Sequence, residues 1–181
     1  MQINQLRQRV MFWSGVTLVP MAGFLIYYIY ESMSRFISRS FTQTEFWENH
    51  WMIDKGVSLD LTTRTLYFVG WMPVVLLSCL SLLVGMYLLN RLRQGLFLNT
   101  TNARLIQLLG GISVVTVILD TLMESVSVVL ITAQNADGGH AFAYQYDPTD
   151  IKALILYSVV FTFGWMMSAA MEIDREHKEF V

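Results

Sequence analysis

The sequence predicts an all-α integral membrane protein, a single domain folded as a four-helix bundle, and three observations carry this prediction. Of the 181 residues, 54% are hydrophobic and only 14% are charged, whereas soluble domains contain about 25% charged residues. Four stretches approach or exceed the ~20 apolar residues that a helix needs to cross a bilayer. The total length suits one domain.

The four predicted spans differ in how strictly apolar they are. The first and second contain no charged residue, the fourth is charge-free from Ala153 onward, and the third is interrupted only by two acids. The first span is too long for the apolar core of a signal peptide and lacks a small-residue cleavage site, so it is interpreted as a membrane helix. The spans are predicted at about 10–30, 66–90, 105–133 and 152–171.

The basic residues predict that both termini are cytoplasmic, because cytoplasmic loops are enriched in Lys and Arg. On this topology the outer loops are 31–65 and 134–151, the inner loop is 91–104, and 172–181 forms a cytoplasmic tail. The side that holds the termini then carries seven of the twelve Lys and Arg residues, namely Arg7, Arg9, Arg91, Arg93, Arg104, Arg175 and Lys178.

The two longest connections contain residues that favour contact with a membrane or a partner. The first outer loop is rich in aromatic residues, which predicts either a short helix at the headgroup level or a surface that docks a partner. In the inner loop, Gly95 suits a helix C-cap, and Asn99, Thr100 or Thr101 can cap the next helix. The predicted partner-contact residues are Trp47, Trp51, Phe97, Arg91 and Arg93.

The inner loop and the tail also carry a family resemblance. The stretch "LNRLRQGLFLNTTNARLIQLLGG" matches a pattern in Gly95, Phe97, Asn102, Leu105 and Gly110, and it resembles the signature of the bacterial domain-of-unknown-function family 2975. The ending "MMSAAMEIDREHKEFV" resembles the end of the same family. The resemblance covers the whole chain and implies a small four-span protein of the bacterial inner membrane, in some cases encoded beside helix-turn-helix regulators. The chain departs from the family in its longer aromatic loop, and no catalytic residue is carried over.

The third span has two sides, because its polar residues recur at helical spacing. At about 100° per residue, one face combines the two acids with three hydroxyl residues, and we call this face the polar seam: Ser113, Thr116, Asp120, Glu124 and Ser127. The opposite face is wholly apolar: Val115, Ile118, Leu122, Val126 and Val129. A polar face inside a bilayer is expected to point toward other helices.

The two acids in the seam allow two interpretations. A carboxylate at the bilayer centre costs ~2.5–3.5 kcal/mol on insertion scales, and no predicted span contains a basic residue to offset it. Asp120 and Glu124 are then either a structural pair, protonated or close to the membrane surface, or a site for protons, a cation or a cationic ligand. Their depth depends on which end of this helix, roughly 45 Å long at its 1.5 Å rise per residue, projects from the bilayer.

Other chemistry finds little support in the sequence. The three histidines lie outside the spans and lack metal-ligand spacing, Cys79 is the only cysteine, and no nucleophile with a base is evident. No cofactor, metal or nucleic-acid partner is predicted. The sequence therefore favours a non-enzymatic accessory or regulatory membrane protein, which would contact another membrane protein, a second copy or a cytoplasmic regulator. The alternative is a small proton- or cation-coupled carrier that uses Asp120 and Glu124.

Overall fold

The computed structural model describes residues 2–41, 60–97, 99–133 and 148–179. Within these ranges the chain is helical, without strands, and forms four helices: α1 Gln2–Phe41, α2 Leu61–Arg93, α3 Thr100–Thr132 and α4 Pro148–Glu179. The all-α prediction with four helices is thereby confirmed. Trp47 and Trp51 lie outside the described residues, as do His50 and His140.

Each helix contains a stretch long and apolar enough to cross a membrane, and together these make the chain a multi-pass membrane protein by length and composition. The stretches are Gln8–Ser34, Leu61–Arg93, Thr100–Leu130 and Pro148–His177. Large apolar side chains cover the outside of the helices, as a lipid environment requires, and Val19 and Trp165 are 74% and 70% exposed. Few apolar residues in the described ranges are buried, so this part of the protein has only a thin core.

The helices extend beyond the predicted spans, and a local cap, not the apolar boundary, marks the start of α2. α1 continues to Phe41, so the first part of the predicted outer loop 31–65 is helical. α2 begins after Asp60, whose side chain accepts a 2.8 Å hydrogen bond from the Thr63 amide and caps the helix. α4 begins at Pro148, a residue suited to the first helical position, and it carries the predicted tail as helix as far as Glu179.

The connection between α2 and α3 is a short turn whose backbone groups are satisfied locally. Gly95 has a positive φ of 80°, its amide donates to the Leu92 carbonyl, and the Leu96 amide donates to the Arg91 carbonyl. This pattern is a Schellman motif, which needs a left-handed residue such as glycine. The Asn99 side chain caps α3 through a 2.9 Å bond from the Thr101 amide. The predicted C-cap and N-cap are both present.

The four helices fit a helical bundle, but they pack as an open row in chain order. Extensive contacts join α1 to α2, α2 to α3 and α3 to α4, while α1 and α4 make no extensive contact in the described part of the chain. Gly85 of α2 lies between two neighbours, because a Cβ there would meet Met21 of α1 and Leu109 of α3. α2 and α3 are therefore the central helices, and α1 and α4 are the edge helices.

α3 and α4 approach each other at the level of the backbone. A Cβ on Gly110 of α3 would lie 2.6 Å from the Phe161 backbone nitrogen of α4, and a Cβ on Gly164 of α4 would lie 2.7 Å from the Gln107 backbone nitrogen of α3. Small residues permit such close contact between membrane helices. The Gln107 amide also donates a 3.1 Å hydrogen bond to the Ser168 hydroxyl, so this pair of helices is fixed in its register.

Candidate functional site

Two residues of the polar seam, Ser113 and Ser127, face α2. Ser113 and Ser127 are buried, whereas the apolar face of α3 is open, with Val115, Ile118 and Leu122 each about half exposed. The seam is thus turned toward a neighbouring helix, the orientation expected of a polar face in a bilayer. Its use as a binding site remains a prediction.

The hydroxyl groups of the seam are engaged by α2 and by the helix backbone. The Ser113 and Ser81 hydroxyls lie 3.0 Å apart, and the Trp71 indole nitrogen donates a 3.1 Å hydrogen bond to the Ser127 hydroxyl. The Thr116 hydroxyl donates to the Ile112 carbonyl of its own helix at 2.8 Å. These side chains therefore tie α3 to α2 and to itself, which is a packing role.

The polar residues of the outermost helix face away from the seam. On α4 the Ser158 and Thr162 hydroxyls are exposed and donate to carbonyls of their own helix at 2.8 Å. Trp165, which shares their face, is 70% exposed. Such back-bonding is the ordinary behaviour of hydroxyls in membrane helices, and these groups do not extend the seam.

Asp120 is half-buried, between the levels of Ser113 and Ser127 on α3. Its charge interacts with that of Asp150, in the first turn of α4. Next to Asp150 a small cleft of about 120 Å³ opens between the two helices, and its walls are mostly apolar: Val117, Ile118, Thr121, Leu122, Asp150, Ile151 and Leu154. Asp120 does not line this cleft, and its electrostatic interaction with Asp150 links it to an acid outside the predicted seam. Glu124 is half-buried one turn further along α3.

The register between α3 and α4 determines the level of these acids. Because the cleft joins the segment 117–122 of α3 to the first turns of α4, α4 begins alongside Asp120. The last twelve residues of α3, 121–132, therefore extend roughly 18 Å beyond that level at 1.5 Å per residue. Asp120 is at the height of Asp150 and Lys152, where the charge-free part of α4 ends.

The opposite end of the helix row carries the predicted contact arginines. The Arg91 guanidinium donates a 2.8 Å hydrogen bond from Nε to the Asn102 side-chain oxygen, and Asn102 is almost fully buried. The Asn102 amide donates to the carbonyls of Leu96 and Phe97. Asn102 thus links Arg91 to the turn through hydrogen bonds. Phe97, which is half-buried, contributes a backbone carbonyl to this network.

Three features of this geometry lay outside the sequence interpretation. Asp150 was assigned to an outer loop, although "PTD" after Asp147 is a helix-start pattern that signals an acid in the first turn. The role of Asn102 could not be predicted from the sequence in the same way. Its side-chain amide bonds to turn carbonyls five and six residues earlier, and such a contact produces no repeating sequence pattern. Gly110 and Gly164 pack α3 on α4, and the sequence alone does not reveal which glycine faces which helix.

Among the described residues, no group of three His, Cys, Asp or Glu side chains could hold a metal ion. None of the family models, curated proteins and solved structures compared with the chain matches it. The resemblance to family 2975 therefore stays a prediction that rests on the motif residues alone.

Proposed function

We propose that this protein is a non-enzymatic accessory or regulatory protein of the bacterial inner membrane, with both termini in the cytoplasm, which acts through lateral contact with another membrane protein. The observation that carries the proposal is the open row of helices. Within the described residues, α1 and α4 each pack extensively against one neighbour, which leaves much of both edge helices available inside the bilayer.

The polar groups support the same proposal. A carrier needs polar groups that are available along a path, but the seam hydroxyls of Ser113, Thr116 and Ser127 are engaged by α2 or by backbone carbonyls. Asp120 lies level with the charged start of α4, which matches an acid near the membrane surface, where ionisation costs less than at the centre. The charged end of α4 offers an additional contact surface for a cytoplasmic regulator.

Site-specific photo-crosslinking in native membranes tests the proposal. A photoreactive amino acid replaces Val19 on α1 or Trp165 on α4, and the matched control replaces Leu76, a 64% exposed residue on the central helix α2. We expect discrete protein adducts from the two edge positions and mainly lipid adducts from Leu76. Edge positions that yield only lipid adducts, or three positions that yield the same adducts, would contradict a lateral partner.

A second candidate function is a carrier or binding protein for a cationic ligand, and the proximity of Asp120 to Asp150 beside an apolar cleft favours it. Asp150 lines this cleft, and a small organic cation bound there would offset its repulsion with Asp120. The test compares Asp120→Asn, Glu124→Gln and Asp150→Asn in reconstituted vesicles with Asp174→Asn, which changes an exposed acid at the other end. Loss of proton-coupled cation uptake in the first three variants alone supports this function, and unchanged uptake ends it.

A further inference from the structure

Within the described residues, the edge helix α1 leaves one side uncovered. Buried Ser14 and the Met21 side chain, which contacts Gly85, mark the side that packs on α2. At about 100° per residue, the opposite side carries four exposed residues at seven-residue spacing, and we call them the α1 row: Arg9, Val16, Gly23 and Tyr30. A Cβ on Gly23 would meet nothing within 4 Å, so another helix can approach α1 closely there.

The other edge helix, α4, has a matching row on the side away from α3. Gly164 and the Phe161 backbone face α3. The opposite side again carries four exposed residues at seven-residue spacing, the α4 row: Lys152, Val159, Met166 and Ile173. A repeat of seven residues is the spacing at which two helices keep one face in contact along their length.

Contacts between neighbouring helices relate the level of α1 in the membrane to that of α4. Met21 of α1 is level with Gly85 of α2, which is level with Leu109 of α3. The next residue of α3, Gly110, is level with Phe161 of α4. Because a helix rises 1.5 Å per residue, Met21 and Phe161 lie within about 2 Å of the same level.

The two rows match level by level. Each residue of the α1 row is as many residues from Met21 as its counterpart in the α4 row is from Phe161, and in the same direction across the membrane. Gly23 is thus level with Val159, which is 60% exposed. A small residue opposite a large one lets two membrane helices pack closely.

The charges at the two ends of the rows are complementary. Arg9 is level with exposed Asp174, and exposed Lys152 is level with Glu31, each to within one residue. On both helices the two charges are 22 residues apart, which is roughly 33 Å along a helix and close to the ~30 Å hydrocarbon layer. Each pair of opposite charges therefore lies at one surface of the membrane.

We propose that α1 of one copy of this chain packs against α4 of a second copy through the two rows. An α1–α1 contact about a two-fold axis places Arg9 beside Arg9, and an α4–α4 contact places Lys152 beside Lys152, so both set like charges together. An α1–α4 contact is heterologous and produces a ring or a continuing row of copies. The inference rests on the lateral contact in the proposed function and names a second copy as the partner.

Disulfide cross-linking in native membranes tests the contact. In a Cys79→Ala background, one chain carries Gly23→Cys and a differently tagged chain carries Val159→Cys, both at exposed positions. We expect oxidation with copper phenanthroline to give a mixed dimer with both tags, and little dimer from either chain alone. The control pairs Gly23→Cys with Ile173→Cys. Ile173 is roughly 21 Å further along α4 than Val159, beyond the ~7 Å between Cα atoms that a disulfide can bridge.

Exchanging the charges at one end of the contact is a second, independent measurement. Glu31→Lys sets a like charge against Lys152 of the neighbouring copy. We expect the yield of mixed dimer to fall about threefold, the effect of one exposed ion pair. In the double variant Glu31→Lys, Lys152→Glu the two charges are opposite again, so the yield should recover.

Three results would overturn the proposal. The first is a single-cysteine chain that alone forms as much dimer as the mixed pair, the second an equal yield in the control pair, and the third a charge exchange without recovery. This failure differs from that of the proposed function. If the lateral contact is right but the partner is not a second copy, photo-crosslinks from Val19 and Trp165 contain a different protein. Lipid adducts alone would end both proposals.

Discussion

The contact between α3 and α4 and the contact between α1 and α2 both depend on glycines, but these glycines face different kinds of atoms. In the α3–α4 contact, Gly110 and Gly164 face backbone atoms of the opposing helix. In the α1–α2 contact, Gly85 and Gly15 face the side chains of Met21 and Arg93. A backbone cannot move without displacing its helix, whereas a long side chain can change its rotamer. The α3–α4 pair is therefore rigid, and α1 can shift against α2.

The largest expected effect is on the rigid contact. Gly110→Ala brings a Cβ within 2.6–2.9 Å of three Phe161 atoms, two of them backbone, so the helices must separate. We expect the free energy of unfolding to fall by about 2 kcal/mol, as for other overpacked sites. Unfolding in mixed micelles with increasing sodium dodecyl sulfate, followed by circular dichroism, measures this change.

Gly111→Ala is the control for that variant, because its Cβ would lie 3.6 Å from a ring carbon of Phe161, an ordinary contact distance. Both variants add one methyl group to the same turn of α3. If Gly111→Ala lost as much stability as Gly110→Ala, the close backbone approach would not be the cause.

A smaller effect is expected at Gly85 in the α1–α2 contact. A Cβ there would lie 2.9 Å from the terminal methyl group of Met21, which can swing away. We expect a loss of about 1 kcal/mol, at the low end for overpacking. In a Met21→Ala background the clash is absent, so the added loss should disappear. A loss that persists there would assign the cost to α3 or to the helix itself.

The hydrogen bond between Gln107 and Ser168 tests how much a polar contact adds to the α3–α4 pair. Removing it in Ser168→Ala is expected to cost about 0.6 kcal/mol, the average for such bonds between membrane helices. Ser158→Ala serves as the reference, because the Ser158 hydroxyl is exposed and bonds only within α4. Similar values for the two variants would show that the interhelical bond contributes nothing measurable.

The smallest effect, with the opposite sign, is expected at Gly15. Gly15→Ala makes only an ordinary 3.7 Å contact with Arg93, and alanine favours a helix over glycine by up to about 1 kcal/mol. We expect a gain of a few tenths of that amount in the same unfolding assay, matched by Gly23→Ala, where a Cβ meets nothing within 4 Å. A marked loss at Gly15 alone would mean that α1 and α2 are packed as rigidly as α3 and α4.

Composition and periodicity predicted the helices and the sidedness of α3, because both depend on local sequence. The turn at Gly95 was also predictable from the sequence, because the left-handed residue that follows a helix is usually glycine. The interaction of Asp120 with Asp150 could not be predicted from the sequence, because it depends on the register of α4 along α3. That register is set by Gly110, Gly164 and Phe161, which meet only in the folded molecule.

The open row was inaccessible for the same reason. Four apolar helices of similar length fit a closed bundle and a row equally well, and nothing in their periodicity distinguishes the two. The extension of α1 to Phe41 was missed because "ESMSRFISRS" is polar. A helix that leaves the apolar layer can continue in water, where its backbone bonds remain satisfied.

The turn between α2 and α3 has a consequence for biogenesis. Among its described residues, several carbonyls and amides are bonded by Gly95, Leu96, Asn99 and Asn102, all contributed by the turn or by the first residues of α3. The closed end of this hairpin thus needs neither α1 nor α4 to satisfy these backbone groups. We therefore expect α2 and α3 to leave the translocon together as a helical hairpin. α1 and α4 would then pack against this hairpin from opposite sides.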